Sequence, residues 1–159
     1  MTMRRWAALA VFVLVPLAVG FLSGMSTADG VRTWYQDIAK PSFNPPDRVF
    51  GPVWTALYVS MGVAAFLVWR TGPDRSAVRP ALAWFAAQLV ANGAWSLIFF
   101  GLRNPGLAFV EIVLLLGMIV VTTRLFWRRS RVAGALMLPY LAWVSFATIL
   151  NFSIWRLNA

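Results

Sequence analysis

Four tryptophans spread along the chain, rather than any set of acids, bases or nucleophiles, are the residues whose type and spacing point to chemistry. Trp34 lies in a segment rich in aromatic residues and prolines, while Trp54, Trp95 and Trp143 lie in separate apolar runs. The chain has no His and no Cys, which excludes imidazole bases, thiolates, disulfides and the usual zinc ligand sets. We therefore expect no metal site and no cofactor. Indole rings are suited to stacking on a flat, apolar ligand.

The elements that must position these rings are membrane-spanning helices. Of the 159 residues, 60% are hydrophobic and the mean hydropathy is +0.72, so the chain's solvent is a lipid bilayer. Charged residues divide it into five apolar spans, each close to the roughly 20 residues that a helix needs to cross a membrane. The predicted spans are residues 6–25, 49–69, 80–102, 104–123 and 132–155. We predict an all-α, multi-pass integral membrane protein, a single five-transmembrane-helix domain over residues 1–159.

The first span raises a question of processing. Arg4-Arg5, the apolar run and Ser26-Thr27-Ala28 have the layout of a secretory signal peptide. The uncharged run Trp6–Met25 is longer than the roughly 7–15 residues of a signal-peptide core, so we expect a retained helix.

The formal charge of +9 does not indicate a nucleic-acid partner. The arginines lie between apolar runs, where the positive charge of cytoplasmic loops is expected. They are most numerous at the N-terminus and in the connections Arg70–Arg79 and Arg124–Arg131. In an inner membrane this pattern places the N-terminus in the cytoplasm. We predict a location in the bacterial envelope and leave the particular membrane open.

Residues 26–48 form the one long connection between predicted spans. The segment carries three acids and three bases, unlike the basic remainder of the chain. Loops of this length in compact proteins are usually lids, binding loops or disordered segments. Pro41, Pro45 and Pro46 favour a stiff, extended backbone. We predict a long structured loop that covers the ligand.

Helical spacing places aromatic and polar residues on one stripe of each of three spans. The stripes are Trp54, Tyr58, Met61 and Ala65 in the second span, Asn92, Trp95, Ser96 and Phe99 in the third, and Tyr140, Trp143, Ala147, Leu150 and Asn151 in the fifth. If they converge beneath the loop, they enclose a flat, aromatic and sparingly polar pocket. The predicted ligand-binding residues are Trp34, Trp54, Tyr58, Asn92, Trp95, Phe99, Tyr140, Trp143 and Ala147.

Simpler explanations compete for the aromatic and amide residues. Trp and Tyr collect at membrane interfaces, and we assign that role to the tryptophans near span ends, Trp6, Trp69, Trp84, Trp127 and Trp155. Asn92 and Asn151 are also residues of the type that cross-links membrane helices by hydrogen bonds.

Two further features of the spans bear on function. Glu111 is an acid within an apolar run, which indicates either proton coupling or a neutral carboxyl group bonded to a neighbouring helix. Ala83, Ala87 and Ala91 are small residues at every fourth position of the third span. Such a stripe permits close helix approach and predicts a homodimer through this helix.

Several motifs, taken in order, resemble the tryptophan-rich sensory protein / translocator protein family, also called the peripheral benzodiazepine receptor family. They are Trp34-Tyr35, Lys40-Pro41-Ser42-Phe43-Asn44-Pro45-Pro46, Val53-Trp54, Asn92-x-x-Trp95, Pro139-Tyr140-Leu141-x-Trp143 and Leu150-Asn151. The resemblance covers essentially the whole chain. It implies five transmembrane helices, a homodimer and a pocket beneath the first loop. It departs at Phe152, where the sterol motif of mitochondrial members has Tyr.

The resemblance implies a receptor or sensor for porphyrins of the protoporphyrin type and related planar apolar ligands. Some bacterial members degrade protoporphyrin in light and oxygen, which would give Trp54 and Trp143 a catalytic role. Without His or Cys, the commonest axial haem ligands, the chain would hold a porphyrin as a ligand by packing, not as a cofactor. The sequence has no conventional catalytic set and leaves enzymatic activity open.

Two other functions remain open. One is a transporter of porphyrins or amphipathic compounds in which Glu111 couples protons, although no inverted repeat is evident. The other is a non-catalytic scaffold that modulates other membrane proteins. The expected partners are thus a planar hydrophobic ligand, membrane lipid and a second copy of the chain.

Overall fold

Six helices account for most of the chain in the computed structural model, which describes residues 3–72 and 75–159. They are α1 (Met3–Arg32), α2 (Trp34–Asp37), α3 (Asp47–Arg70), α4 (Arg75–Ser96, extended by a π-helical turn over Leu97–Gly101), α5 (Pro105–Arg129) and α6 (Arg131–Leu157). All but α2 are long and apolar enough to cross a membrane. The predicted five-helix integral membrane protein is confirmed. The predicted connection 70–79 includes residues 73 and 74, which lie outside the described residues.

The first connection differs from its prediction. A long loop over residues 26–48 is not confirmed, because α1 continues to Arg32 and α2 follows at Trp34. The hydroxyl groups of Ser26 and Thr27 donate to the carbonyl oxygen of Ser23, at 3.0 and 2.7 Å, inside the helix. These bonds let the two hydroxyl groups find acceptors within the helix, so the helix continues past the end of the apolar run without unsatisfied polar groups. Apart from Thr33, the non-helical part of the connection is residues 38–46, which we call the lid.

Helices α5 and α6 begin at side-chain caps. The Asn104 side chain accepts from the backbone N–H of Leu107 at 3.0 Å, and Pro105 follows as the first helical residue. The Ser130 hydroxyl oxygen accepts from the N–H of Ala133 at 3.3 Å. These bonds satisfy backbone donors that a helix start leaves unpaired. The α5 helix ends at Arg129, beyond the predicted 123, since long arginine side chains at a span end can reach the headgroups.

The bundle has two unlike ends. The loop end carries α2, the lid, the start of α3 and Asn158; the arginine end carries the start of α1, the α3–α4 connection and the α5–α6 connection. Toward the arginine end the helices enclose a closed core that includes Met61, Ala65 and Val68, all fully buried. There Gly62 brings α3 against the backbone of α1 at Phe12. Toward the loop end the helices surround a cavity.

Candidate ligand-binding cavity

The cavity at the loop end of the bundle has a volume of about 560 Å³, within the range of roughly 300–1,000 Å³ that small-molecule sites occupy. Its walls come from α1, α2, α3, α4 with its π-helical turn, and α6. The lining residues are Leu17, Gly20, Phe21, Gly24, Thr27, Val31, Tyr35, Asp47, Phe50, Gly51, Trp54, Thr55, Tyr58, Asn92, Trp95, Ser96, Phe99, Phe100, Trp143, Ala147, Leu150, Asn151 and Ile154. Most of these side chains are apolar or aromatic.

Aromatic rings form the stiffest part of the wall. The Trp54 ring lies 5.6 Å from that of Tyr58, Trp95 stacks on Phe99 at 5.2 Å, and Phe50 meets Trp143 edge-on at 6.0 Å, as measured between centroids. Such pairs add stabilisation beyond the apolar area that they bury. The rings of Trp54, Trp95 and Trp143 are each held in place by a neighbouring ring.

Polar groups on one wall are satisfied by a chain of buried hydrogen bonds. The Tyr58 hydroxyl donates to the Asn92 side-chain oxygen at 2.6 Å, and the Asn92 amide donates to the Tyr140 oxygen at 3.0 Å. Tyr140 in turn donates to the Gln88 side-chain oxygen at 2.8 Å. Because polar groups away from water must find partners in the protein, this chain fixes α3, α4 and α6 relative to one another.

A second polar contact joins α4, α5 and α6 nearer the loop end. The Trp95 indole N–H donates to the Asn151 side-chain oxygen at 3.0 Å. The Asn151 amide donates to the carbonyl oxygen of Pro105, at the start of α5, at 2.8 Å. The orientation of the Trp95 ring is therefore set by hydrogen bonding as well as by stacking.

One face of α1 forms the wall opposite α6. Leu17, Gly20, Gly24, Thr27 and Val31 recur at intervals of three and four residues and so share a face. A Cβ atom at residue 20 would overlap the Tyr58 ring, which lies directly against the helix there. This face was not predicted from the sequence, because the role of Gly20 depends on the Tyr58 ring of another helix.

Tyr35 of α2 lines the cavity at the loop end, whereas no residue of the lid is among the lining residues in the described part of the chain. That the lid covers a ligand therefore stays a prediction. Tyr35 is buried against the rings of Phe99 and Phe100, with centroids 6.2 and 5.3 Å away, and its hydroxyl donates to the Asn44 side chain at 2.9 Å. Burial, and secondarily the negative charge of Asp47, raises the pKa of Tyr35 to about 12. This hydroxyl stays neutral and remains a donor at physiological pH.

The start of the lid is held by Asn158, the residue that follows α6. The Asn158 side chain accepts from the N–H of Ala39 at 3.0 Å and donates to the carbonyl oxygen of the same residue at 2.9 Å. Phe43 meets Phe146 of α6 edge-on at 6.3 Å. The lid is thus held by a few contacts with α6 and Asn158.

Seven of the nine predicted ligand-binding residues line this cavity: Trp54, Tyr58, Asn92, Trp95, Phe99, Trp143 and Ala147. The other two lie behind its wall. Trp34 packs edge-on against Phe99 at 5.7 Å, and Tyr140 is fully buried with its hydroxyl supporting Asn92. Contact between a ligand and these nine residues stays a prediction.

Charged side chains are scarce around the cavity. Among the described residues, Asp47 is the one charged side chain in the lining, and no arginine or lysine contributes to it. Lys40 instead lies over the Tyr35 ring at 4.8 Å and donates to the carbonyl oxygen of Gln36 at 3.2 Å. Glu111 lies on α5, outside the lining, and its Oε2 atom is buried without a hydrogen-bond partner in the described part of the chain.

The predicted dimer stripe lies on α4. Ala83 and Ala87 are exposed on the outer surface of the bundle, and Ala91 is half-buried against the closed core. Two of the three alanines are thus accessible to another helix. The homodimer stays a prediction.

Five membrane-spanning helices, four of which line an aromatic cavity, define a multi-pass integral membrane protein. Comparison with known proteins gives a family. The model of the TspO/MBR family matches residues 12–156, and the chain belongs to this family. Membership supports a role as a membrane sensor or receptor in general.

Relatives from all three domains of life are similar over nearly their full length. The chain is 45% identical to the tryptophan-rich protein TspO of Chlorobaculum tepidum over 150 residues, covering 94% of this chain and 95% of the relative. It is 42% identical to the tryptophan-rich protein TspO of Archaeoglobus fulgidus, covering 92% and 94%. It is 41% identical to the translocator protein of Homo sapiens, covering 96% and 91%.

Proposed function

We propose that the protein is a membrane receptor or sensor that binds planar, largely apolar ligands of the porphyrin class in the cavity beneath the lid. The observation that carries this proposal is the cavity itself, about 560 Å³ in volume and walled by mutually supported aromatic rings. A macrocycle would stack on Trp54, Trp95 and Trp143. The buried amide of Asn92 would offer hydrogen bonds at one edge.

The charges near the cavity would orient such a ligand. Asp47 at the mouth disfavours a carboxylate beside it, since like charges repel. Propionate groups of a porphyrin would therefore point away from Asp47, toward the headgroups and the cationic side chains of Arg32, Lys40 and Arg48. The apolar macrocycle would occupy the aromatic part of the cavity.

The proposal is tested by titrating purified, detergent-solubilised protein with protoporphyrin IX in the dark and following tryptophan fluorescence. We expect saturable quenching that weakens by about tenfold or more in Trp54→Phe plus Trp143→Phe, because losing two stacking partners of roughly 1 kcal/mol each has that effect. The matched control is Trp6→Phe plus Trp84→Phe, since both indoles are exposed outside the cavity. Equal affinity for protoporphyrin IX in the wild type and both double variants would contradict the assignment of the binding site to this cavity.

Light-dependent turnover is tested in the same samples. Illumination with oxygen supplies both the excited porphyrin and the oxidant, so conventional acid–base residues are not required. Loss of the porphyrin spectrum that slows in the Trp54/Trp143 variant, but not in the control, would assign Trp54 and Trp143 a catalytic role. Binding without spectral loss would define a receptor alone. Absence of saturable binding would favour the scaffold function.

A second candidate function is proton-coupled transport of porphyrins or amphipathic compounds. It is favoured by the unpartnered, buried Oε2 atom of Glu111, because an intramembrane carboxyl group is costly to retain without a role. Uptake of protoporphyrin into proteoliposomes under an imposed pH gradient should fall in Glu111→Gln. Uptake that is unchanged by this substitution would exclude coupling through Glu111.

A further inference from the structure

A second cavity lies at the arginine end of the bundle, separated from the ligand-binding cavity by the closed core. It is open, has a volume of about 600 Å³ and shares no lining residue with the first. Its lining consists of Arg4, Arg5, Trp69, Arg70, Gly72, Val78, Arg79 and Leu82. Each of the helices α1, α3 and α4 contributes at least one guanidinium group. The arginine cluster is therefore brought together by the fold and does not come from one basic stretch of sequence.

The four arginines are not neutralised by the described part of the chain. Within residues 3–72 and 75–159, the ion pair that the structure contains is Arg103–Asp29, at the loop end. Arg4 and Arg5 lie in the first turn of α1, where the helix dipole adds further positive potential. Four like charges around one opening repel one another, and an anion in that opening relieves the repulsion.

The same cavity has an apolar wall. The Trp69 ring stacks on Phe66 at 5.9 Å and meets Phe12 at 6.0 Å, so its position is fixed by α1 and α3 together. Val78 is buried beside it, and Leu82 packs against the closed core. A cavity with guanidinium groups on one side and fixed apolar side chains on the other suits an amphipathic anion.

We propose that this cavity binds an anionic phospholipid whose headgroup carries two phosphate groups. The phosphates are held by the four arginines, since guanidinium groups match phosphate oxygens with paired N–H donors. The first carbons of an acyl chain lie against Trp69, Val78 and Leu82. Basic pockets between membrane helices are sites of this kind, and four guanidinium groups offer paired N–H donors to two phosphates.

A soluble diphosphate shares the headgroup's chemistry, and the apolar wall is what favours the lipid. The experiment reconstitutes the protein in phosphatidylcholine nanodiscs containing a small fraction of cardiolipin or, at equal total charge, of phosphatidylglycerol. Bound lipid is measured by native mass spectrometry, with inorganic pyrophosphate as a soluble competitor. The variant is Arg5→Gln plus Arg79→Gln, and circular dichroism verifies its folding.

The α5–α6 connection offers a matched control. Arg128 and Arg131 are exposed at the same end of the bundle but do not line the cavity. Replacing both with Gln changes the net charge by the same amount. We expect cardiolipin binding to weaken by about 30-fold in the Arg5/Arg79 variant, from two headgroup contacts, and far less in the Arg128/Arg131 variant.

Three results would overturn the proposal. Equal weakening in both double variants would show diffuse attraction to a basic surface. Equal retention of phosphatidylglycerol and cardiolipin would exclude a site for two phosphates. Displacement of cardiolipin by an equal concentration of pyrophosphate would assign the site to a soluble phosphate compound instead of a lipid.

Discussion

Helix α3 passes through two regions that use apolar residues in opposite ways. From Leu57 to Val68 it carries all eight of its buried residues, and from Asp47 to Ala56 it carries none. The buried part packs small side chains such as Ala64 and Ala65 without exposed surface, whereas the first part presents Phe50 and Trp54 to a cavity. Apolar character alone therefore does not decide whether neighbouring helices close on one another.

What differs is the shape and support of the side chains. Gly62 and the alanines let backbones approach, which is how membrane helices gain packing energy. In the open region, rings braced by other rings cannot fold into the gap, and a buried hydrogen-bond chain through Tyr140 fixes the helix spacing. The closed region provides stability, and the open region retains space.

The largest effect is expected from adding one methyl group to the closed region. A Cβ atom in Gly62→Ala would lie 2.5 Å from the carbonyl oxygen of Phe12 and 2.8 Å from the Cα of Val13. These atoms belong to the α1 backbone, which cannot turn away as a side chain can. We expect a loss of about 3 kcal/mol in the free energy of unfolding, at the upper end of overpacking costs, measured by denaturant titration in detergent.

The same substitution in the open region provides the control. Gly51 lies on the same helix, and a Cβ atom there would meet nothing within 4 Å. Gly51→Ala should leave stability unchanged or raise it by up to about 1 kcal/mol, the gain in helix propensity. Equal destabilisation by both substitutions would show that the two regions of α3 do not differ in packing.

Removing the hydroxyl group of Tyr140 should have the next largest effect. This oxygen accepts from Asn92 and donates to Gln88, so Tyr140→Phe leaves two buried polar groups without a partner. We expect a loss of about 2 kcal/mol in the free energy of unfolding. Tyr58→Phe breaks one bond, to Asn92, and should cost about half as much. A larger loss of unfolding free energy in Tyr58→Phe than in Tyr140→Phe would show that Tyr140 is not the main support of the cavity wall.

The contrast between the two regions explains what could be predicted from the sequence. The five spans follow from uncharged runs, and the stripes on α3, α4 and α6 follow from helical spacing, so Trp54, Trp95 and Trp143 were found. The α1 wall was not predicted because Gly20 and Gly24 have no side chain. A glycine can be assigned to a cavity wall only when the helix that faces it is known. Tyr140 shares a stripe with Trp143, and which of them faces the cavity depends on helix rotation.

The first connection shows a different limit. Helix α1 was predicted to end where the apolar run ends, but Thr27 bonds to a helix carbonyl and lines the cavity instead. A change in polarity marks the boundary of the apolar span, not the end of the helix. The lid is consequently shorter than predicted, and its attachment to Asn158, 119 residues away from Ala39 in sequence, could not be seen from local patterns.

The lid's attachment should control how fast ligand exchanges more than how stable the protein is. Asn158→Ala removes both bonds to Ala39 at an exposed site. We expect a change of less than about 1 kcal/mol in unfolding and a rise of about threefold in the dissociation rate of protoporphyrin IX, measured by stopped-flow fluorescence. Leu157→Ala, at an exposed neighbour, is the control. Identical dissociation rates would mean that the lid is not held at this point.

The ionisation of Tyr35, at the loop end, is expected to have the smallest effect on stability at neutral pH. Its pKa is raised from 10.0 to about 12 by burial, so the folded state binds this proton more tightly than the unfolded state. The stabilising contribution is complete below pH 10 and is lost as the pH rises through 12. The ionised hydroxyl could no longer donate to Asn44, and the lid would loosen.

We expect dissociation of protoporphyrin IX to accelerate over this interval in the wild type and to change less in Tyr35→Phe, which has no ionisable group at this position. A pH dependence that is identical in the two proteins would assign the transition to another group.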